Sequence, residues 1–165
     1  AVYPFTPQQV ISDAIIQASS IPVFCGVGGG TTQGSRVVAL AQDAEAQGAM
    51  GLVVTAPISN EDIRQVAQVV DIPIVVTVLN EHTDIDKRLE AGASILNVSA
   101  AEDTPRVVAE IRKRYPDLPI IATGGPTGET ILRTVEAGAN AISYTPPTTK
   151  ELFSSMMMDY RNREK

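Results

Sequence analysis

Residues 71–100 read DIPIVVTVLNEHTDIDKRLEAGASILNVSA, and they hold one full period of this chain. Residues 72–78 are apolar or β-branched at almost every position. A strand of that kind is buried on both faces, as strands are in parallel sheets covered by helices. Residues 84–91 then carry apolar side chains at mixed three and four spacings and stop at Gly92, which predicts a helix closed by a left-handed glycine. Residues 94–99 form a second buried run. The first strand opens on Ile72-Pro73 and the second on Gly92-Ala93. Proline is tolerated at the first residue of a strand, because the ladder has not yet begun.

The same alternation extends in both directions. Strands are predicted at 21–27, 51–55, 119–123 and 141–145. Ile21-Pro22 and Leu118-Pro119 open two of them, and Gly48-Ala49 and Gly138-Ala139 open the others. The Pro openings lie 51 and 46 residues apart, and the Gly-Ala openings 44 and 46. Such regularity is the mark of internal duplication, with two β/α pairs per repeat. Helices are expected over 35–47, 60–70, 104–115, 128–137 and 149–160, with Asn60 and Thr104 near their starts. The opening residues 1–7 match 141–147 in outline, so Ala1–Phe5 reads as the end of another Gly-Ala strand. Completed to four pairs, the pattern gives eight strands. The expected fold is therefore α/β, a (β/α)8 barrel of TIM type lacking its first β/α unit, in a single domain over 1–165. The alternative is an open doubly wound parallel sheet. A whole barrel takes about 250 residues, and this chain has 165.

Composition narrows the function. Thirteen Lys and Arg against 19 Asp and Glu leave a net charge of −6, and aromatics are 4% with no Trp. Nucleic acid and anionic membrane surfaces are poor partners for such a chain. No apolar run reaches the roughly 18 residues of a membrane helix, and no signal peptide is evident, so a cytoplasmic protein is expected. The single Cys25 excludes a disulfide framework. Behind Phe24 in a strand, it reads as a buried inert thiol.

Ligands of either fold meet the C-terminal ends of the strands. Those positions hold small, uncharged, hydroxyl-rich residues, among them Thr55, Thr77, Asn97 and Ser99, which suit the orientation of a polar substrate. The most informative motif is Thr123-Gly124-Gly125-Pro126-Thr127-Gly128. Glycines let a backbone approach a ligand, and a helix start offers N–H groups to an anion. The motif resembles the strand-seven phosphate loop of phosphate-binding TIM barrels. That resemblance implies a phosphate held by Gly124 and Gly125, with Tyr144 and Thr145 supplying the strand-eight half.

Residues 21–57, IPVFCGVGGGTTQGSRVVALAQDAEAQGAMGLVVTAP, resemble the third and fourth strands of the dihydrodipicolinate synthase and N-acetylneuraminate lyase superfamily. The likeness covers about a fifth of the chain. It implies the fold and not the activity, since that superfamily carries a Schiff-base lysine at the end of strand six. Here that strand is SILNVSA, where Asn97 and Ser99 stand, and an amide cannot form an imine. The lysines are Lys87, Lys113, Lys150 and Lys165, all in predicted helices or the tail.

His82 is the one imidazole, and with Glu81 it is the candidate for moving protons. No zinc-ligand spacing exists, and no cofactor is expected. Glu81, Asp84, Glu102 and Asp103 leave room for a Mg²⁺ ion. The expected function is an enzyme acting on a small phosphorylated or carboxylated metabolite, of lyase or isomerase type. A hydrolase, metal-dependent or not, and a non-catalytic metabolite-binding barrel are the alternatives. A homo-oligomer is expected, since an incomplete barrel leaves strand edges to cover.

Overall fold

A computed structural model describes residues 6–145 and 147–163. The chain alternates strand and helix throughout. After α1 (Gln9–Ala18) come β1 (Phe24–Gly28), α2 (Ser35–Ala46), β2 (Gly51–Val54), α3 (Asn60–Ala67), β3 (Ile74–Val78) and α4 (Ile85–Glu90). Then follow β4 (Ile95–Val98), α5 (Thr104–Arg114), β5 (Ile120–Thr123), α6 (Gly128–Glu136), β6 (Ala141–Ser143) and α7 (Thr149–Arg163). A single 3-10 turn, Ala101–Asp103, precedes α5. The strand expected over Ala1–Phe5 lies outside the described residues.

All six described strands are parallel and lie in chain order, β1 beside β2 through to β6. That order decides between the two architectures. Right-handed crossovers that always step the same way put every helix on one face of the sheet. A doubly wound sheet reverses its order midway and covers both faces. This sheet never reverses, so it curls with its helices outside. The chain is a partial TIM barrel.

The alternation of side chains confirms two distinct faces. Cys25, Val27, Leu52, Val54, Ile74 and Val76 pack outward into one helix-side core. Val78, Leu96, Val98, Ile120 and Ala122 join Val107, Val108 and Ile111 of α5 in a second. Burial of each such aliphatic side chain stabilises by about 1.5–3 kcal/mol. The intervening residues face the concave side. There Val53 and Val75 are 1% and 0% exposed, yet they belong to neither helix-side core. At the base of this inner face the Phe24 ring lies against Gly51, where a Cβ would stand 2.6 Å from the ring.

Local signals act as the sequence suggests, with two adjustments. Gly48, Gly92 and Gly138 take φ of 98°, 116° and 108° just past their helices, the left-handed region that ends a helix without a Cβ clash. Asp84 caps α4 by accepting from the Lys87 N–H. The cap of α3 is Ser59, which accepts from the Asp62 N–H, while Asn60 is the first helical residue. The Thr104 hydroxyl accepts from the Ala100 N–H and so ties down the 3-10 turn rather than capping α5.

Candidate functional site

The registers align the polar residues of the inner face near the strand ends. Thr77 on β3 pairs with Asn97 on β4, and Thr123 on β5 pairs with Ser143 on β6. Ser99 lies one residue past β4, beside them. Thr77 and Asn97 are 7% and 6% exposed. The Asn97 Nδ2 donates to the Thr77 Oγ1 at 3.2 Å. The Asn97 Oδ1 is buried and has no partner among the described residues. A buried acceptor without a donor costs about 1–3 kcal/mol, and native folds keep few of them.

Thr55, the remaining predicted substrate residue, is placed differently. Its hydroxyl and its N–H both turn back to the Gly28 carbonyl, at 3.1 and 2.9 Å. Gly29 stands so close that a Cβ there would lie 2.1 Å from the Thr55 oxygen. The glycine-rich segment is thus folded tightly onto Thr55, with Gly28 and Gly29 at φ of 139° and 105°.

The Thr123-Gly124-Gly125 turn borders a cavity of about 640 Å³. Its walls include Thr123, Gly125, Thr130 and Arg133 on one side and Ala101, Glu102 and Asp103 on the other. Gly124 is bare for packing reasons: a Cβ would lie 2.6 Å from Ile142 and 2.7 Å from Ile131. Its N–H is already spent on the Ser143 carbonyl at 3.1 Å, so it is not free for an anion. Gly125 turns at φ 75°. Thr127 and Thr130 then close a reciprocal capping box at the start of α6. Ala101 on the facing wall has φ 52°. Holding a residue with a Cβ there costs roughly 1–2 kcal/mol, and such strain clusters at functional sites.

Tyr144 and Thr145 are exposed and are not among the residues that line this cavity, although Tyr144 follows Ser143, whose carbonyl accepts from the Gly124 N–H. Arg133, Thr130 and Ala101 were invisible as site residues in the sequence. Arg133 reads as an ordinary polar position of a helix, and only the packing of α6 beside the turn before α5 puts it on the cavity wall.

His82 is exposed in the loop after β3, where its N–H donates to the Asn80 side chain at 3.0 Å. Glu81 beside it is engaged by Arg106, whose two terminal nitrogens lie 2.8 and 3.3 Å from its carboxylate oxygens. The Arg106 guanidinium holds the Glu81 carboxyl down to about 2, well below the usual carboxylate value. A carboxylate so stabilised is a weak base. Asp103 shares Arg106 at 3.3 Å, and Asp84 is paired with Lys87 at 2.7 Å. Among the described residues, no three His, Cys, Asp or Glu side chains cluster closely enough to hold a metal ion.

Lys87, Lys113 and Lys150 lie on α4, α5 and α7, and no described strand carries a lysine. Cys25 is 0% exposed on the helix-facing side, and burial pushes its thiol up. Neither type of residue offers a nucleophile to the inner face. Among the described residues, no helix is long and apolar enough to cross a membrane.

No protein-family model and no curated protein matches this sequence. Solved structures do match its fold. The chain is similar to a phosphoenolpyruvate phosphomutase from Streptomyces platensis subsp. rosaceus, with TM-score 0.66 and 14% identity over 94% of this chain. It is similar to a 2,3-dimethylmalate lyase of the PEP mutase/isocitrate lyase superfamily, with TM-score 0.67 and 13% identity, again over 94%. It is also similar to an N-acetylneuraminate lyase from Mycoplasma synoviae, with TM-score 0.68 and 12% identity over 82%. The match spans 65%, 64% and 50% of those three chains respectively. At such identities the likeness is one of fold.

Proposed function

We propose that this partial barrel binds a small carboxylated or phosphorylated metabolite at the strand ends of its inner face. It acts there as a lyase or isomerase that uses no imine. One observation carries the proposal: Thr123, in register with Ser143 on the inner face that also carries Thr77, Asn97 and Ser99, borders the cavity beside Gly125 as well. In this reading Arg133 and the Gly125 turn hold the anionic group, while Thr77, Asn97 and Ser99 orient the rest. His82 is the group that moves a proton. Glu81 serves through its bond to Arg106, which ties the His82 loop to α5. The similar structures support the reading, since they bear the names of lyases and a phosphomutase. A second copy covering the open edge of β6 belongs to the same proposal, as does a cytoplasmic setting.

Thermal unfolding in the presence of inorganic phosphate, pyruvate or phosphoenolpyruvate tests it. A bound ligand at 100 times its dissociation constant adds about 2.7 kcal/mol of stability. That gain is expected for at least one of the three and is expected to shrink in Arg133→Ala. If none of the three moves the transition, the proposed site is wrong.

A further inference from the structure

We infer that Asn97 sets the specificity of this site by presenting its carboxamide oxygen to a hydrogen-bond donor of the ligand. The ligand then belongs to the hydroxy acids or phosphorylated polyols rather than to the 2-oxo acids. The inference rests on the inner-face site proposed above.

The Asn97 side chain can make four hydrogen bonds, two from Nδ2 and two at Oδ1. The structure shows one, from Nδ2 to Thr77, and leaves Oδ1 buried with no donor among the described residues. Its neighbours across the sheet explain why no described residue repairs this. Asn97 pairs in register with Thr77 on one side and with Ile121 on the other. Thr77 already accepts from the amide, and Ile121 has no donor to give. Turning the amide over exchanges the two ends but still leaves one of them unpaired, since Thr77 is its one side-chain partner among the described residues. A buried group that is unsatisfied in either orientation is complementary to something outside the chain.

The chemistry of that partner follows from the wall around it. The inner face near Asn97 offers the hydroxyls of Ser99, Thr123 and Ser143 and carries no lysine or arginine on its strands. Hydroxyl groups both donate and accept, so they suit a ligand that does the same. A 2-oxo group only accepts, and seating it against Asn97 would leave the amide oxygen unpaired in a dry site. Sites built to bond a ligand hydroxyl reject the analogue that lacks it for this reason. The oxygen is sealed from solvent in the unliganded chain. The broad terminal torsion of asparagine lets it turn toward an arriving donor.

The test compares matched pairs by calorimetric titration: lactate with pyruvate, malate with oxaloacetate, and 2-phosphoglycerate with phosphoenolpyruvate. For the wild type, the hydroxylated member of the pair that binds is expected to bind ten- to a hundredfold tighter. Asn97→Leu is expected to bring the two members within about twofold, with its folding checked by circular dichroism and thermal unfolding. Val53→Ala, two strands away on the same inner face, loosens packing without removing the amide oxygen and is expected to keep the preference, so that its loss in Asn97→Leu is not a general effect of disturbing this face. Equal binding of both members by the wild type overturns the inference alone, as does a preference that persists in folded Asn97→Leu. Failure of every member of every pair to bind the folded wild type overturns both the inference and the site it rests on.

Discussion

Arg106 on α5 grips Glu81 in the loop after β3 with contacts of 2.8 and 3.3 Å, across 25 positions of sequence. The same guanidinium reaches Asp103, at 3.3 Å, on the wall of the Gly125 cavity. One cation thus fixes the His82 loop relative to that wall.

The pairing sets a pH dependence. The folded Glu81 carboxyl titrates at about 2, below its ordinary 4.5. An acid depressed by folding lends stability that is complete above its ordinary value and is lost as pH falls through the folded one. The contribution of Glu81 is therefore expected in full above 4.5 and gone near 2. In Arg106→Ala the carboxyl should titrate back toward 4.5, read from its side-chain carbon shift in an NMR titration. An unchanged midpoint would show that Arg106 is not the cause.

Arg112 locks the opposite end of the barrel. Its guanidinium donates to the Gly138, Tyr115, Pro116 and Leu118 carbonyls and to the Asn140 side chain, at 2.6 to 3.2 Å. Asn140 in turn accepts from the Ile120 N–H at the start of β5. Arg112→Ala is expected to lower stability by about 2–4 kcal/mol. Arg112→Lys should recover little, because an ammonium cannot span the fork. Urea unfolding measures both.

Gly124→Ala places a methyl against Ile131 and Ile142, each under 3 Å away. Overpacking of this kind is expected to destabilise by roughly 1–3 kcal/mol. It should also weaken binding at the neighbouring cavity. A variant as stable as the wild type would mean that the turn is looser than its packing indicates.

Borohydride treatment in the presence of pyruvate should leave the mass of the protein unchanged. Trapping needs an imine, and no described strand offers a lysine to form one. A reduced adduct on Lys87, Lys113 or Lys150 would overturn the imine-free reading.

The architecture was legible in the sequence because it is written locally. Apolar runs such as residues 72–78 and 94–99 mark strands, and each glycine at 48, 92 and 138 ends a helix through a backbone geometry that its neighbours alone define. Their repetition carries the parallel order of the strands. What remained open was whether the order reverses. That depends on which strand pairs with which, a contact between distant residues that no local pattern encodes.

The site divides in the same way. The sequence by itself determined that the strand ends are hydroxyl-rich and free of lysine, and that Thr77, Asn97 and Ser99 stand there, because a strand's side-chain period is fixed at two. Only the tertiary structure decided what those residues do. Register set Asn97 between Thr77 and Ile121 and left its oxygen without a donor among the described residues. Helix packing brought Arg133 to the Gly125 cavity and left Tyr144 and Thr145 off it. A long-range ion pair engaged Glu81 with Arg106 and made its carboxylate a weaker base. Hydrogen-bond satisfaction and charge pairing are properties of neighbours in space, and the fold alone chooses those neighbours.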